Sequence, residues 1–219
     1  MNALMHFDKG IFASSEDIEK LKSAEKARII LISDTHGNVD TVIDILGREG
    51  KKSDAVLFSG DGLADFLNYI TISQYEKELR EAIPPVAALV MGNCDSKKYA
   101  LNLDAGKTES GFGFKKNPEQ YLEFFEFIFL EACSKKILLT HGHEFYVDFE
   151  LNTILNFARE KSCSVAVFGH THVPLIKEVN GILLVNPGSA SRPRMGSNKS
   201  YGILTMSKDA KPLMEFKNL

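Results

Sequence analysis

Five short apolar runs constrain this 219-residue chain more than anything else in it. ARIILISD (27–34), DAVLFSGD (54–61), VAALVMGN (86–93), KKILLTH (135–141) and SVAVFGHTH (164–172) share one layout. Each is apolar on consecutive positions and stops at Asp, Asn or His. Consecutive apolar positions suit strands covered on both faces, as in parallel sheets layered with helices. Helical segments lie between several of the runs. Val42, Ile43 and Leu46 mark one over Val39 to Gly47. Leu67 to Ile83 carries a Glu76–Arg80 pair at i,i+4 spacing. Leu151, Leu155 and Ala158 mark another over Phe149 to Lys161. Strands alternating with helices predict α/β architecture.

The C-terminal third reads differently. LIKEV (175–179), ILLVN (182–186), YGILTM (201–206) and LMEFK (213–217) are short strands separated by turns. Asn180–Gly181 is a hairpin signal. FEFIFLEACSKKILLT (125–140) reads as a second hairpin turning near Ser134–Lys135. A second, partly antiparallel sheet is therefore expected. Residues 1–27 read as an N-terminal helical extension, with Ser14 and Asp17 as a capping pair and Ile18 and Leu21 as a thin apolar stripe. Residues 28–219 read as a single domain. The Gly- and Lys-rich stretch 103–120 is expected to be an exposed loop.

Bulk properties narrow the function. Net charge is −3, with no basic excess of the kind nucleic-acid binding calls for. No apolar run approaches the roughly 20 residues that span a bilayer, and the N-terminus lacks the layout of a secretion signal. Cys94, Cys133 and Cys163 are odd in number and form no CxxC, which fits a reduced, cytoplasmic protein.

In open α/β sheets the C-terminal strand ends form the ligand crevice. Here that edge would carry Asp34, Asp61, Asn93, His141 and His170. His36 and His172 follow two residues after Asp34 and His170, so two claws are expected, because near-extended residues at i and i+2 point the same way. A single DxH or HxH is a weak signal, since one His at a strand end is commonly a plain loop residue. The distribution is the stronger argument. Four of the six histidines fall at these ends, with two Asp and one Asn. That donor count suits a pair of cations of the kind that clamp phosphoryl oxygens.

The order Asp34-x-His36, Gly60-Asp61, Gly92-Asn93, His141-Gly142, Gly169-His170-x-His172 resembles the calcineurin-like metallophosphoesterase superfamily. The match spans about Ile29 to Ser189. GNCD (92–95) and NPGS (186–189) resemble its small bacterial and archaeal phosphodiesterase branch. The resemblance implies a two-sheet β-sandwich of mixed sheets flanked by helices. It implies that Asp34, His36 and His172 hold one divalent metal and Asn93, His141 and His170 the other. Asp61 would bridge them, and a shared hydroxide would be the nucleophile. Imidazole and carboxylate donors without thiolate suit Mn, Fe, Zn, Ni or Co, and the family habit puts Mn first. Mg is disfavoured by four histidines.

Other residues near these motifs keep two readings. His143 is either structural or faces the substrate. Asp95 either supports the Asn93 loop or is a solvated turn residue. Asp65 reads as a helix-face residue. Asn38 reads as a helix cap that lies near the metals in the family. Ser189, Arg192 and Arg194 are candidates to meet a phosphate, with solvated loop positions as the alternative. Many relatives carry His where this chain has Cys94, placed to protonate the leaving oxygen. A thiol is the weaker donor at neutral pH, which favours diesters with good leaving groups over monoesters. The expected activity is a metal-dependent phosphodiesterase acting on a small phosphoester. The alternatives are a phosphomonoesterase or a protein-docking scaffold on the same fold. Small members often form homo-oligomers.

Overall fold

The structure, a computed structural model, describes residues 6–101 and 120–219. The loop expected over 103–120 falls, but for Gln120, outside the described residues.

The first apolar runs form one sheet. β1 (His6–Asp8) and β2 (Ile11–Phe12) lead into α1 (Ser15–Ser23). β3 (Lys26–Ile32), α2 (Val39–Glu49), β4 (Ala55–Phe58), α3 (Leu63–Ser73), α4 (Lys77–Ala82) and β5 (Val86–Leu89) follow. β6 (Lys98–Leu101) and β7 (Gln120–Glu123) pair as a small antiparallel ribbon. The second group is β8 (Phe127–Ala132), β9 (Lys135–Thr140), α5 (Asn152–Glu160), β10 (Val165–Val167), β11 (Leu175–Val179) and β12 (Ile182–Asn186). β13 (Ser200–Ser207) and β14 (Leu213–Asn218) close the chain.

Seven strands pair in the order β1-β2-β5-β4-β3-β13-β14, and five in the order β11-β12-β10-β9-β8. β3, β4 and β5 run parallel, as do β9, β10 and β12. The outer strands pair antiparallel, so both sheets are mixed. Side-chain alternation along each strand then builds the layers. Ile29, Leu31, Leu57 and Ala88 face inward and meet Ile137, Leu139, Val167 and Val185 of the other sheet. Ile30, Ile32, Val56 and Phe58 face outward and meet Val42, Ile45, Phe66 and Tyr69 of α2 and α3. Leu138, Ala166 and Leu184 meet Ile154 and Ala158 of α5. The result is the expected helix-flanked sandwich, with both sheets apolar on both faces.

Two expectations need correction. The N-terminal stretch is more than a helix. Ser14 does cap α1, accepting from the Asp17 N–H at 3.1 Å. But β2 pairs with β5, and Phe12 is fully buried among the outer-layer residues. Two-residue strands carry no periodicity to read. The helix expected over 67–83 is two helices, starting earlier at Leu63 and broken between Ser73 and Lys77. At the break the Ser73 hydroxyl donates to the Ile70 carbonyl at 2.7 Å, one of the local bonds that compete with a continuing helix.

Two glycines near the end of α2 test this packing. Gly47 is exposed and a Cβ there would meet nothing within 4 Å. Gly50 has a helical φ of −61° but is buried, and a Cβ would lie 1.7 Å from the Ala82 carbonyl oxygen that ends α4. Gly47→Ala should therefore stabilise the protein by about 0.5–1 kcal/mol. Gly50→Ala should destabilise it by about 1–3 kcal/mol. Urea unfolding of both variants checks the pair, and equal shifts would contradict the close approach of α2 and α4.

Candidate metal centre

Parallel strands place their C-terminal ends side by side. Asp34 follows β3, Asp61 follows β4, Asn93 follows β5, His141 follows β9, and His170 and His172 follow β10. The loops are stitched together by backbone bonds. Asp34 N–H donates to the Gly60 carbonyl, and His36 N–H to the Asp61 carbonyl, both at 3.0 Å. Gly169 N–H donates to the His141 carbonyl at 3.0 Å. Gly92 lets β5 come close to the Asp61 carboxylate, since a Cβ there would lie 2.1 Å from Asp61 Oδ1.

Asp34, His36, Asp61 and His172 each offer a donor atom, all within 4.8 Å of one another. Asp34 Oδ2 accepts from the Ser33 hydroxyl at 2.6 Å, while Oδ1 is buried without a hydrogen-bond partner. On the other side of Asp61, His141 Nε2 lies 3.5 Å from Asp61 Oδ1 and 3.1 Å from Asn93 Oδ1. The His170 ring centroid is 5.1 Å from that of His141. Asp61 Oδ2 lies 3.8 Å from His36 Nε2. One carboxylate thus presents an oxygen to each of two donor sets.

Imidazole tautomers explain why this cluster calls for cations. His141 Nδ1 lies 2.7 Å from the Ser59 carbonyl, and His172 Nδ1 lies 2.6 Å from the Arg192 carbonyl. A carbonyl only accepts, so both Nδ1 atoms carry the proton and a neutral ring leaves Nε2 a bare lone pair. The His141 lone pair faces Asn93 Oδ1 at 3.1 Å, and that of His172 faces Asp34 Oδ1. His172 Nε2 meets Asp34 Oδ1 at 3.2 Å and His36 Nε2 at 3.1 Å. Protonating His172 would answer one of its two contacts, whereas a cation among the four atoms answers all. Backbone-anchored imidazoles of this kind are the usual support for metal ligands.

The charges act accordingly. Burial lowers His36, His143 and His170 below the ordinary imidazole pKa. Burial also acts against His141 and His172, but the Asp61 and Asp34 carboxylates outweigh it and raise both. Asp61 is held well below the usual carboxylate range, because His141 and the Cys94 N–H outweigh its burial. Burial and the facing Asp61 carboxylate push the Cys94 thiol up to about 11.

The expected claws take a different form. Asp34, His36, Asp61, His170 and His172 all have positive φ, between 44° and 67°. These are left-handed, not extended, conformations, rare for residues with a Cβ. Strain of this kind collects at functional sites. Asp34 and His36 still share one cluster, with 3.9 Å between Oδ1 and Nε2. His170 and His172 diverge, the first toward His141 and the second toward His36.

The remaining candidates separate. Asn38 Oδ1 accepts from the Thr41 N–H and caps α2. Ser189, expected near a phosphate, is fully buried. Its hydroxyl donates to the Asp34 carbonyl at 2.7 Å and accepts from the Arg192 N–H at 2.8 Å, so it braces the Asp34 loop. Arg192 and Arg194 are exposed, and the Arg192 guanidinium reaches the His36 carbonyl at 3.4 Å. The His143 ring lies tilted beside those of His141 and His170, with its Nδ1 buried and unpartnered. Cys94 is exposed, and its backbone N–H donates to Asp61 Oδ1 at 2.8 Å.

Two aspartates hold the frame. Asp95 accepts N–H bonds from Asp61, Gly62, Leu63 and Gly92 at 2.8–3.0 Å, tying the β4 and β5 loops together. Asp65, read from the sequence as a helix-face residue, is buried instead. Its Oδ2 accepts from the Thr35 hydroxyl and from the Gly37 and Asn38 N–H groups. The GD-x-x-x-D spacing after Asp61 was the available signal, with the first turn of α3 carrying Asp65 back over the loop.

This is a helix-flanked α/β sandwich with a carboxylate–histidine cluster at the strand ends that could hold a metal ion. The profile of the calcineurin-like phosphoesterase superfamily domain matches residues 28–209, and the chain belongs to that family. A probable metallophosphoesterase of Bacillus subtilis, YsnB, is 30% identical over 182 residues, covering 83% of this chain and 86% of its own. The phosphodiesterase YfcE of Escherichia coli K12 is 28% identical over 189 residues, covering 81% and 86%. Among solved structures, a predicted phosphoesterase of Streptococcus pneumoniae superposes with a TM-score of 0.60 at 26% identity, over 88% of this chain and 90% of that one. Vacuolar protein sorting 29 of Cryptosporidium parvum gives 0.56 at 20% identity over 88% and 97%, a likeness of fold alone.

Asp95→Asn would place an amide NH2 against backbone N–H donors. It should cost about 2 kcal/mol or more in urea unfolding and weaken Mn binding in a calorimetric titration. A variant with unchanged stability and affinity would remove Asp95 from the frame.

Proposed function

We propose that this chain is a phosphodiesterase that hydrolyses small phosphoesters at two divalent cations, with manganese the first choice. The bare acceptors facing one another across Asp61 are the observation that carries this reading. Bound cations would lower the pKa of an attacking water and neutralise charge growing on the phosphoryl oxygens. The residues supply the rest. Asp61 holds the two donor sets at one spacing. The Ser59 and Arg192 carbonyls keep His141 and His172 in the tautomer that presents Nε2. Asn93 contributes an oxygen without adding negative charge, which preserves attraction for an anionic substrate. Arg192 and Arg194 stand at the rim as cations for a phosphate oxygen.

Cys94 supports the diester preference. Its exposed thiol stands on the wall beside Asn93, and the facing carboxylate makes it a reluctant proton donor. Esters whose leaving group departs without protonation are then the natural substrates. YfcE, named a phosphodiesterase, points the same way.

Manganese-loaded protein should hydrolyse bis(4-nitrophenyl) phosphate, and His172→Ala should lower kcat/KM by about 100-fold or more, the scale of loss expected when charge stabilisation is removed. Cys94→His should accelerate esters of poor leaving groups more than nitrophenyl esters, by up to about 10²-fold for general-acid help. Equal acceleration across a leaving-group series contradicts the role given to Cys94. Metal binding without turnover of any ester would favour the docking-scaffold reading.

A further inference from the structure

A cleft of about 300 Å³ lies beside the candidate metal cluster. Val147, Leu151, Phe168, Val173, Pro174 and Leu175 give it apolar walls, and Met195 stands over it, 92% exposed. Two rim residues join it to the cluster. Asp148 lines the cleft, and its Oδ1 lies 4.0 Å from His170 Nε2. Arg194 also lines it, and its N–H donates to the His172 carbonyl at 3.3 Å. The cleft therefore begins where the donor cluster ends.

We propose that this cleft is the subsite for the organic group of the phosphoester, and that it selects an apolar group of about one or two rings. The proposal rests on the phosphoesterase reading above and names the substrate class for that same site. The volume is at the low end of the about 300–1,000 Å³ typical of ligand pockets, so it suits one substituent and not a large molecule. The walls exclude a polar one. Apart from the rim charges Asp148 and Arg194, the polar side chain in the cleft is Thr171, whose hydroxyl already accepts from Asn186 Nδ2 at 3.0 Å. A nucleobase or sugar would leave its own polar edge unpaired against Phe168 and Leu175, which sites built of apolar walls penalise. An aryl or branched alkyl group loses nothing there. Arg194 at the rim can meet the phosphoryl oxygen while the organic group lies on the apolar wall, as its stem and head are suited to do.

The test uses methyl-, phenyl- and naphthylphosphonate, which cannot be hydrolysed, titrated calorimetrically into the manganese-loaded protein. Affinity should rise about tenfold from methyl to naphthyl, the discrimination that apolar pockets commonly provide. Leu151→Ser and Met195→Ser should each flatten that rise. Leu151 is the N-cap residue of α5 and makes no side-chain cap bond, so Ser suits the helix while removing the wall. Met195 is exposed, so its truncation leaves the core untouched. Equal affinity for the three phosphonates in the unaltered protein, or a rise that survives both variants, overturns the subsite while the phosphoesterase reading stands. No binding of any phosphonate overturns both.

Discussion

Lone pairs forced to face lone pairs are the constraint on which this structure turns. Asp34 Oδ1 and the His172 Nε2 lone pair face each other in a mostly buried space, with the Asp61 carboxylate and His36 alongside. Left as such, the arrangement is costly, because a buried acceptor without a donor loses its hydration for nothing. The fold tolerates it through rigidity paid for elsewhere. Three apolar layers supply the stability, and the strand ends are locked by Asp65, Asp95 and Ser189. Those braces are themselves well satisfied: Asp95 accepts four backbone N–H groups from two loops. The donor set is thus held in place by a shell of buried hydrogen bonds, an arrangement suited to receive a cation.

Much of this was legible in the sequence, for a simple reason. The apolar runs encode strands buried on both faces, and their last residues are the donors. Strand order follows from parallel pairing, so Asp34, Asp61, Asn93, His141 and His170 reach one edge without any side-chain knowledge. The hairpins at Asn180–Gly181 and near Ser134 follow from turn chemistry. What stayed hidden depends on backbone angles and tertiary contacts. The positive φ values at the donors have no clear sequence mark, since Asp and His adopt them more often than most residues yet are far commoner outside them. That is why His170 and His172 serve different sides of Asp61 where extended geometry would have joined them. Asp65 read only as a helix-face residue because its partners, Thr35, Gly37 and Asn38, lie some thirty positions earlier. Ser189 looked like a phosphate contact because a Ser in a turn-rich loop reads the same whether it points out or in. β2 escaped because two residues are too few to show a period.

The cleft and Cys94 together describe a site shaped more by its leaving and retained groups than by its phosphate. On the proposed reading the cluster would recognise phosphoryl oxygen and be indifferent to the rest. Selectivity would then fall to what borders it: a thiol that gives up its proton reluctantly, an apolar wall built from the loop before α5, the loop after β10 and the start of β11, and arginines at the rim. These lie in loops and at the edges of elements around the donors, so substrate preference could vary without disturbing the donors.

The most direct measurement is the stoichiometry of manganese binding to the metal-stripped protein, followed by calorimetry and checked by elemental analysis. Two ions per chain are expected, with His172→Ala keeping one and Asp61→Ala weakening both. One ion or none in the unaltered protein, or two ions held unchanged by His172→Ala, would contradict the account.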